Sequence, residues 1–127
     1  MRLKHFSLGI GSQIFKAFSD EARVRILFLL LQNKEMCISD LEQVLDFTQT
    51  KTSRHLTYLK NAGIVSFRKA DRWIFYYIKD EVYDIVSRLL KFISKDITLQ
   101  KDLEMYQVLY SNRELAINKI ESRKWRA

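Results

Sequence analysis

The chain lacks proline altogether and has only three glycines in 127 residues. These are the residues that most often break helices and shape tight turns, so their scarcity favours a mostly helical protein. A single cysteine, Cys37, excludes an intramolecular disulfide framework and suits a reducing compartment. The longest apolar run, Ile26 to Leu31, is far too short to span a bilayer. Met1 to Ser7 carries no apolar core of a signal peptide. The expectation is a soluble, cytoplasmic protein that does not associate with membrane. No nucleophile elbow, glycine-rich phosphate loop or His-Glu metal motif is present, so neither catalysis nor a bound cofactor is expected.

What the chain does have is apolar content and locally concentrated positive charge. Hydrophobic residues make up 47%, enough for a real core in one domain of ordinary size. The net charge of +7 is unevenly spread. Residues 49–79 carry Lys51, Arg54, Lys60, Arg68, Lys69, Arg72 and Lys79 against Asp71 alone, whereas the flanking segments are nearly balanced. Such a patch attracts a polyanion through counterion release and steers its approach. On charge alone it would read as a solvated face; its local context argues otherwise.

That context is a series of short elements. Ile14, Phe15, Ala17 and Phe18 repeat at helical spacing over Ile10 to Phe18. Ser19-Asp20 supplies a cap for a second helix, about Glu21 to Gln32, with an apolar face wide enough for a central core helix. Asn33 to Glu35 reads as a loop and Met36 to Ile38 as a short strand-like piece. Ser39 or Asp40 is expected to cap a third helix carrying Leu41, Val44 and Leu45. After a turn at Asp46 to Thr48, a fourth helix starts near Gln49 with Thr48 as its cap. It ends at Asn61-Ala62-Gly63, Gly63 taking the left-handed conformation. Ile64 to Lys69 and Arg72 to Ile78 are rich in β-branched and aromatic residues and predict a hairpin with Ala70-Asp71 at its tip. Asp80 is expected to cap a helix with Val82, Ile85, Val86, Leu89, Leu90 and Ile93 on one face. About Thr98 to Lys124 reads as one long helix or two shorter ones, ending in the basic tail Arg123-Lys-Trp-Arg126.

A helix presenting polar groups beside a basic hairpin fits major-groove reading with a backbone clamp. The residues that carry this pattern also resemble a known family. Ala17-Phe-Ser-Asp-Glu-Ala-Arg-Val-Arg-Ile-Leu27, Ser53-Arg-His-Leu-x-x-Leu59, Ala62-Gly-Ile-Val65 and Arg72-Trp-Ile-Phe-Tyr-Tyr77 resemble, in this order and spacing, ArsR/SmtB-type winged helix-turn-helix repressors. The chain departs from the family's pattern at Glu21, often proline there, and at Ala70-Asp71, commonly glycine. The resemblance implies a mainly α fold with a small β-hairpin, a homodimer held by terminal helices, and a fourth helix entering the major groove of double-stranded DNA. Residues 1–95 would form the winged helix-turn-helix domain with its dimerisation helices, and 96–127 a C-terminal helical extension. The implied function is a sequence-specific transcriptional regulator, a dimeric repressor reading a palindromic operator. The alternative is a winged helix that binds a partner protein through Trp73, Phe75 and Tyr77.

Within that frame Gln49, Thr50, Lys51, Ser53 and Arg54 would line the reading face, since Arg suits guanine and Gln suits adenine in bidentate geometry. His55 is equally compatible with touching phosphate and with packing against the preceding helix. Lys69 and Arg72 would reach phosphates or the minor groove, while Lys60 and Arg68 read as plain surface charges. Ile10, Ile14 and Phe18 at one end, with Leu89, Phe92, Ile93, Leu103 and Tyr106 at the other, exceed what a small monomer can bury and point to a dimer interface. Glu35 to Leu41 resembles the segment that carries paired thiolates as Cys-x-Cys in metal-sensing members. Here the second thiolate position is Ser39, and the helix from Asp80 has no histidine. No metal site is expected, because a soft metal needs several thiolates. Cys37 reads first as a small buried hydrophobe and second as a thiol sensor, which would require exposure and a lowered pKa.

Overall fold

The computed structural model describes residues 5–126, with side chains described as far as residue 112. Leu115, Ile117 and Ile120, the later apolar positions of the segment from Thr98 to Lys124, and the basic tail therefore lie outside the described side chains. The elements run α1 (Leu8–Ala17), α2 (Glu21–Asn33), β1 (Glu35–Cys37), α3 (Ile38–Leu45), α4 (Gln49–Asn61), β2 (Val65–Ala70), β3 (Trp73–Ile78), α5 (Asp80–Lys91) and α6 (Ile97–Arg126).

Three of the first five helices begin where a side-chain oxygen takes up an orphan backbone donor. The Ile10 N–H donates to Ser7 Oγ at 3.2 Å, the Arg23 N–H to Asp20 Oδ1 at 3.2 Å and the Lys51 N–H to Thr48 Oγ1 at 3.1 Å. Two expected caps are corrected. Ser39 and Asp40 lie inside α3, whose N-cap is Cys37, and Asp80 is the first residue of α5, whose N-cap is Lys79; neither cap makes a side-chain bond. The reason is shared. Both helices leave directly from a strand, so the last extended residue becomes the boundary by its sheet pairing. Cys37 faces Phe75 across the sheet, and the Lys79 N–H donates to the Ile64 carbonyl at 2.9 Å. Asp80 and Glu81 then sit in the first turn of α5, where negative charge favours the helix dipole.

The sheet has three antiparallel strands in the order β1-β3-β2. The strand-like piece after α2 thus pairs with the hairpin, Met36 opposite Tyr76, one residue earlier than its apolar pattern indicates. Asn33 completes α2 and Glu35 opens β1, leaving Lys34 alone between them with φ 68°. The hairpin turn is Asp71-Arg72 rather than Ala70-Asp71, because Ala70 still pairs with Trp73. Asp71 takes φ 56°, a conformation Asp tolerates better than most residues. Gly63 adopts φ 78° behind α4, as a helix-ending glycine should.

The core gathers around α2. Ile26 to Leu30 are five consecutive buried residues, which only a helix surrounded on nearly every side can have. It packs against the sheet, α4, α5 and α6. The last helix is single and 30 residues long, roughly 45 Å at the usual rise. It starts on Asp96, whose carboxylate accepts the Thr98 N–H at 2.8 Å and the Leu99 N–H at 3.3 Å. Leu99 belongs to the same core cluster as α2.

Candidate nucleic-acid interface

Asp46 ends α3 in the left-handed conformation, which turns the chain so that α4 crosses α3. Thr48 caps α4, and Thr52 Oγ1 donates to the Thr48 carbonyl at 2.9 Å. Thr52, His55, Leu56 and Leu59 form the buried stripe of α4 at helical spacing. The opposite stripe is Gln49, Thr50, Ser53, Arg54 and Thr57; all are exposed except Ser53, which is half-buried. Thr57 was missed from the sequence, where it falls on a variable position of the Ser53-to-Leu59 pattern. The available signal was its spacing, one turn beyond Ser53 and Arg54. Arg54 makes no ion pair among the described residues. Lys51 is half-buried and turned aside, its Nζ 4.0 Å from the centre of the Phe47 ring.

His55 lies on the inner stripe, only 6% exposed. It lines a cleft between the start of α2 and α4, with Asp20, Arg25, Phe47, Lys51 and Arg54. Burial lowers its pKa below 6.5, helped by Arg54, Arg23 and Lys51 and opposed by Asp20. Neutral imidazole packed against α2 is thus the favoured state at neutral pH.

The wing brings its charges to one end. Lys69 and Arg72 are exposed and, among the described residues, unpaired, and Trp73 beside them is 48% exposed. Arg68 is held differently. Its Nε donates to Glu35 Oε2 at 2.7 Å across β3, with the guanidinium 4.8 Å above the Phe75 ring. That hydrogen bond holds the Glu35 carboxyl below its usual range. Lys60 rests over the Phe67 ring at 4.7 Å. The positive segment therefore sorts itself: Arg54, Lys69 and Arg72 point outward unpaired, while Lys51, Lys60 and Arg68 lie against aromatic rings. α4 packs on β2, which ties the reading helix to the wing.

Two arginines of α2 seat the ends of α4. Arg23 donates from Nε to the Ala17 carbonyl at 3.1 Å and from Nη2 to the Lys16 carbonyl at 2.8 Å, and its guanidinium lies 4.1 Å above the Tyr58 ring. Arg25 lies 5.4 Å from the Phe47 ring centre and forms a two-pronged ion pair with Asp102 of α6, both bonds 2.9 Å.

Cys37 is buried, its Sγ 3.3 Å from Ser39 Oγ. Among the described residues no group of three or more His, Cys, Asp or Glu side chains is placed to hold a metal ion. Of the apolar residues expected at a dimer interface, Ile14 is instead part of the monomer core. Ile10 and Phe92 are exposed, Phe92 at 82%, and the others are half-buried. Leu8 and Phe15 on α1 and Met105 and Val108 on α6 add exposed apolar area that the sequence reading had not assigned to the interface. No helix among the described residues is long and apolar enough to cross a membrane.

Residues 20–66 match the family model of bacterial regulatory proteins of the arsR family. The chain is 43% identical over 85 residues to an uncharacterized HTH-type transcriptional regulator of Methanocaldococcus jannaschii, covering 67% of this chain and 92% of that one. It is 39% identical over 70 residues to the arsenical resistance operon repressor of Escherichia coli K12, covering 55% of this chain and 60% of that one. Among solved structures, HlyU from Vibrio cholerae superposes with a TM-score of 0.62 at 30% identity, covering 68% of this chain and 94% of that one.

Proposed function

From the premise that the chain belongs to the arsR family of bacterial regulatory proteins, we propose that it is a homodimeric transcriptional regulator that represses by reading duplex DNA in the cytoplasm. The observation that carries this is the outer stripe of α4. Polar side chains and one unpaired arginine stand on a helix whose inner stripe is locked in the core. In this reading Arg54 and Gln49 contact base edges, with Thr50, Ser53 and Thr57 beside them. Lys69 and Arg72 contact phosphate from the wing. Buried His55 supports the site from behind. Exposed Leu8, Phe15 and Phe92 support pairing through the terminal helices.

The test is selection from a random duplex pool. Recovered sequences are expected to converge on a two-fold pattern with half-site centres about 10 base pairs apart, and binding should weaken steeply with salt. A pool that emerges unenriched would overturn the proposal. The alternative of a protein-binding wing is favoured by one observation, exposed Trp73; Phe75 and Tyr77 are half-buried.

A further inference from the structure

We infer that Asp102, on the long C-terminal helix, is a positioning residue for the reading helix α4, acting through Arg25 and Phe47. Three contacts in series carry this. Asp102 is 5% exposed, a buried carboxylate whose two oxygens each accept one N–H of Arg25 at 2.9 Å. That fork fixes the guanidinium plane, which a single bond or a lysine ammonium would leave free to rotate. The oriented guanidinium lies near the Phe47 ring, the ring that also receives Lys51 Nζ. Phe47 sits between left-handed Asp46 and the α4 cap Thr48, so its placement sets where α4 begins.

Charge gives the arrangement its direction. Arg25 shares a cleft with Lys51 and Arg54 at the base of α4. Asp20 and Glu21 line the same cleft, but Asp20 is engaged by Arg23 and Glu21 is exposed. Asp102 is the only carboxylate bonded to Arg25 among the described side chains. Without it, only the exposed Glu21 would offset the guanidinium's charge, and Arg25 would push on the two cations and turn from Phe47 toward water. The other end of α4 stays seated by Arg23 stacked on the Tyr58 ring, so the expected consequence is a loosened first turn rather than an undocked helix.

The test compares Asp102→Asn and Phe47→Leu with wild type in two measurements. The first needs no nucleic acid. Amide exchange at Thr52, Ser53 and Arg54 should speed up by about tenfold more than exchange at Phe28 to Leu30, which reports global opening. The second rests on the DNA reading proposed above. The ratio of affinity for the selected duplex to that for a scrambled duplex should fall about tenfold, with an unchanged salt slope. The double variant should be no worse than the worse single, since both changes cut one path. Equal acceleration at α4 and α2 would make Asp102 a mere staple and overturn the inference, whether or not DNA is bound; so would no acceleration in Phe47→Leu. Failure of the duplex selection with the exchange result intact would remove the DNA reading and leave the positioning role standing.

Discussion

The two helices that flank α2, α4 and α6, bury themselves by different means. Apart from Thr52 and His55, whose imidazole is held neutral, α4 seats an apolar stripe, Leu56 and Leu59. It keeps Arg54 for the outside. α6 spends a charge inward, seating Leu99 beside Asp102 and matching that carboxylate with Arg25. An apolar seat has little directionality and tolerates an outer face shaped for another partner. A buried ion pair is directional and costly unless both partners are in place. It therefore fixes an orientation more than it adds stability.

The largest effect should come from breaking the apolar seat. Leu56→Ala or Leu59→Ala is expected to cost about 2–5 kcal/mol of stability, since each is fully buried and its cavity cannot collapse within a packed core. Thr57→Ala, on the opposite stripe, should lie within about 0.5 kcal/mol of wild type. Urea unfolding of the three variants checks this; a destabilised Thr57→Ala would mean the outer stripe is not free.

Next in size is the outer charge itself. Arg54→Ala should lose about 1–3 kcal/mol on the selected duplex and relax base choice at one position, with unfolding unchanged. Arg72→Ala should weaken binding to all sequences alike and reduce the salt slope by about one. Titrations on matched and mismatched duplexes at several salt concentrations separate the two. Identical behaviour of both variants would show that helix and wing are not divided into reader and clamp.

A smaller expectation concerns arsenite, because relatives of this chain include an arsenical resistance repressor. One buried thiol cannot supply the several soft ligands such an ion needs. Arsenite at micromolar concentration should leave duplex affinity unchanged, and a clear drop that vanishes in Cys37→Ser would show the site was misread.

The contrast between the two helices also explains what could be read from the chain. α4, its Thr48 cap and Gly63 were legible because each is a local matter of spacing, cap chemistry and backbone freedom. The boundaries of α3 and α5 were not, since sheet pairing decided them and Ser39 and Asp80 merely looked like caps. The wing turn slipped by one residue for the same reason: the Ala70 to Trp73 pairing outranked local preference. Arg25 and Asp102 stand 77 residues apart, and nothing in either neighbourhood announces the other. For His55 the sequence left phosphate contact and packing evenly balanced; burial decides for packing, beside Asp20 at the cap of α2, a neighbour that local spacing on α4 does not reveal.

That histidine offers the finest test of the comparison, since it is the one titrating group in the seat of α4. Its folded pKa is lowered, chiefly by burial, with Arg54, Arg23 and Lys51 acting in the same direction. Folding therefore favours neutral imidazole. Above the unfolded value of 6.5 both states are neutral and the full stability is present. As pH falls below 6.5 the unfolded chain takes up a proton that the folded chain resists, so stability declines until the folded pKa is passed. Asp20 faces the ring and limits the loss. Its own pKa is raised by burial but lowered on balance by the Arg23 backbone N–H, Arg23 and His55, so it remains ionised throughout this window. Glu21 lines the same cleft. Melting temperature measured from pH 7.5 downward should fall in wild type with onset near 6.5 and fall less in His55→Gln, which has no proton to gain. A wild-type curve that rises on acidification would mean that Asp20 outweighs burial and holds His55 charged, and the seat of α4 would then be ionic like that of α6.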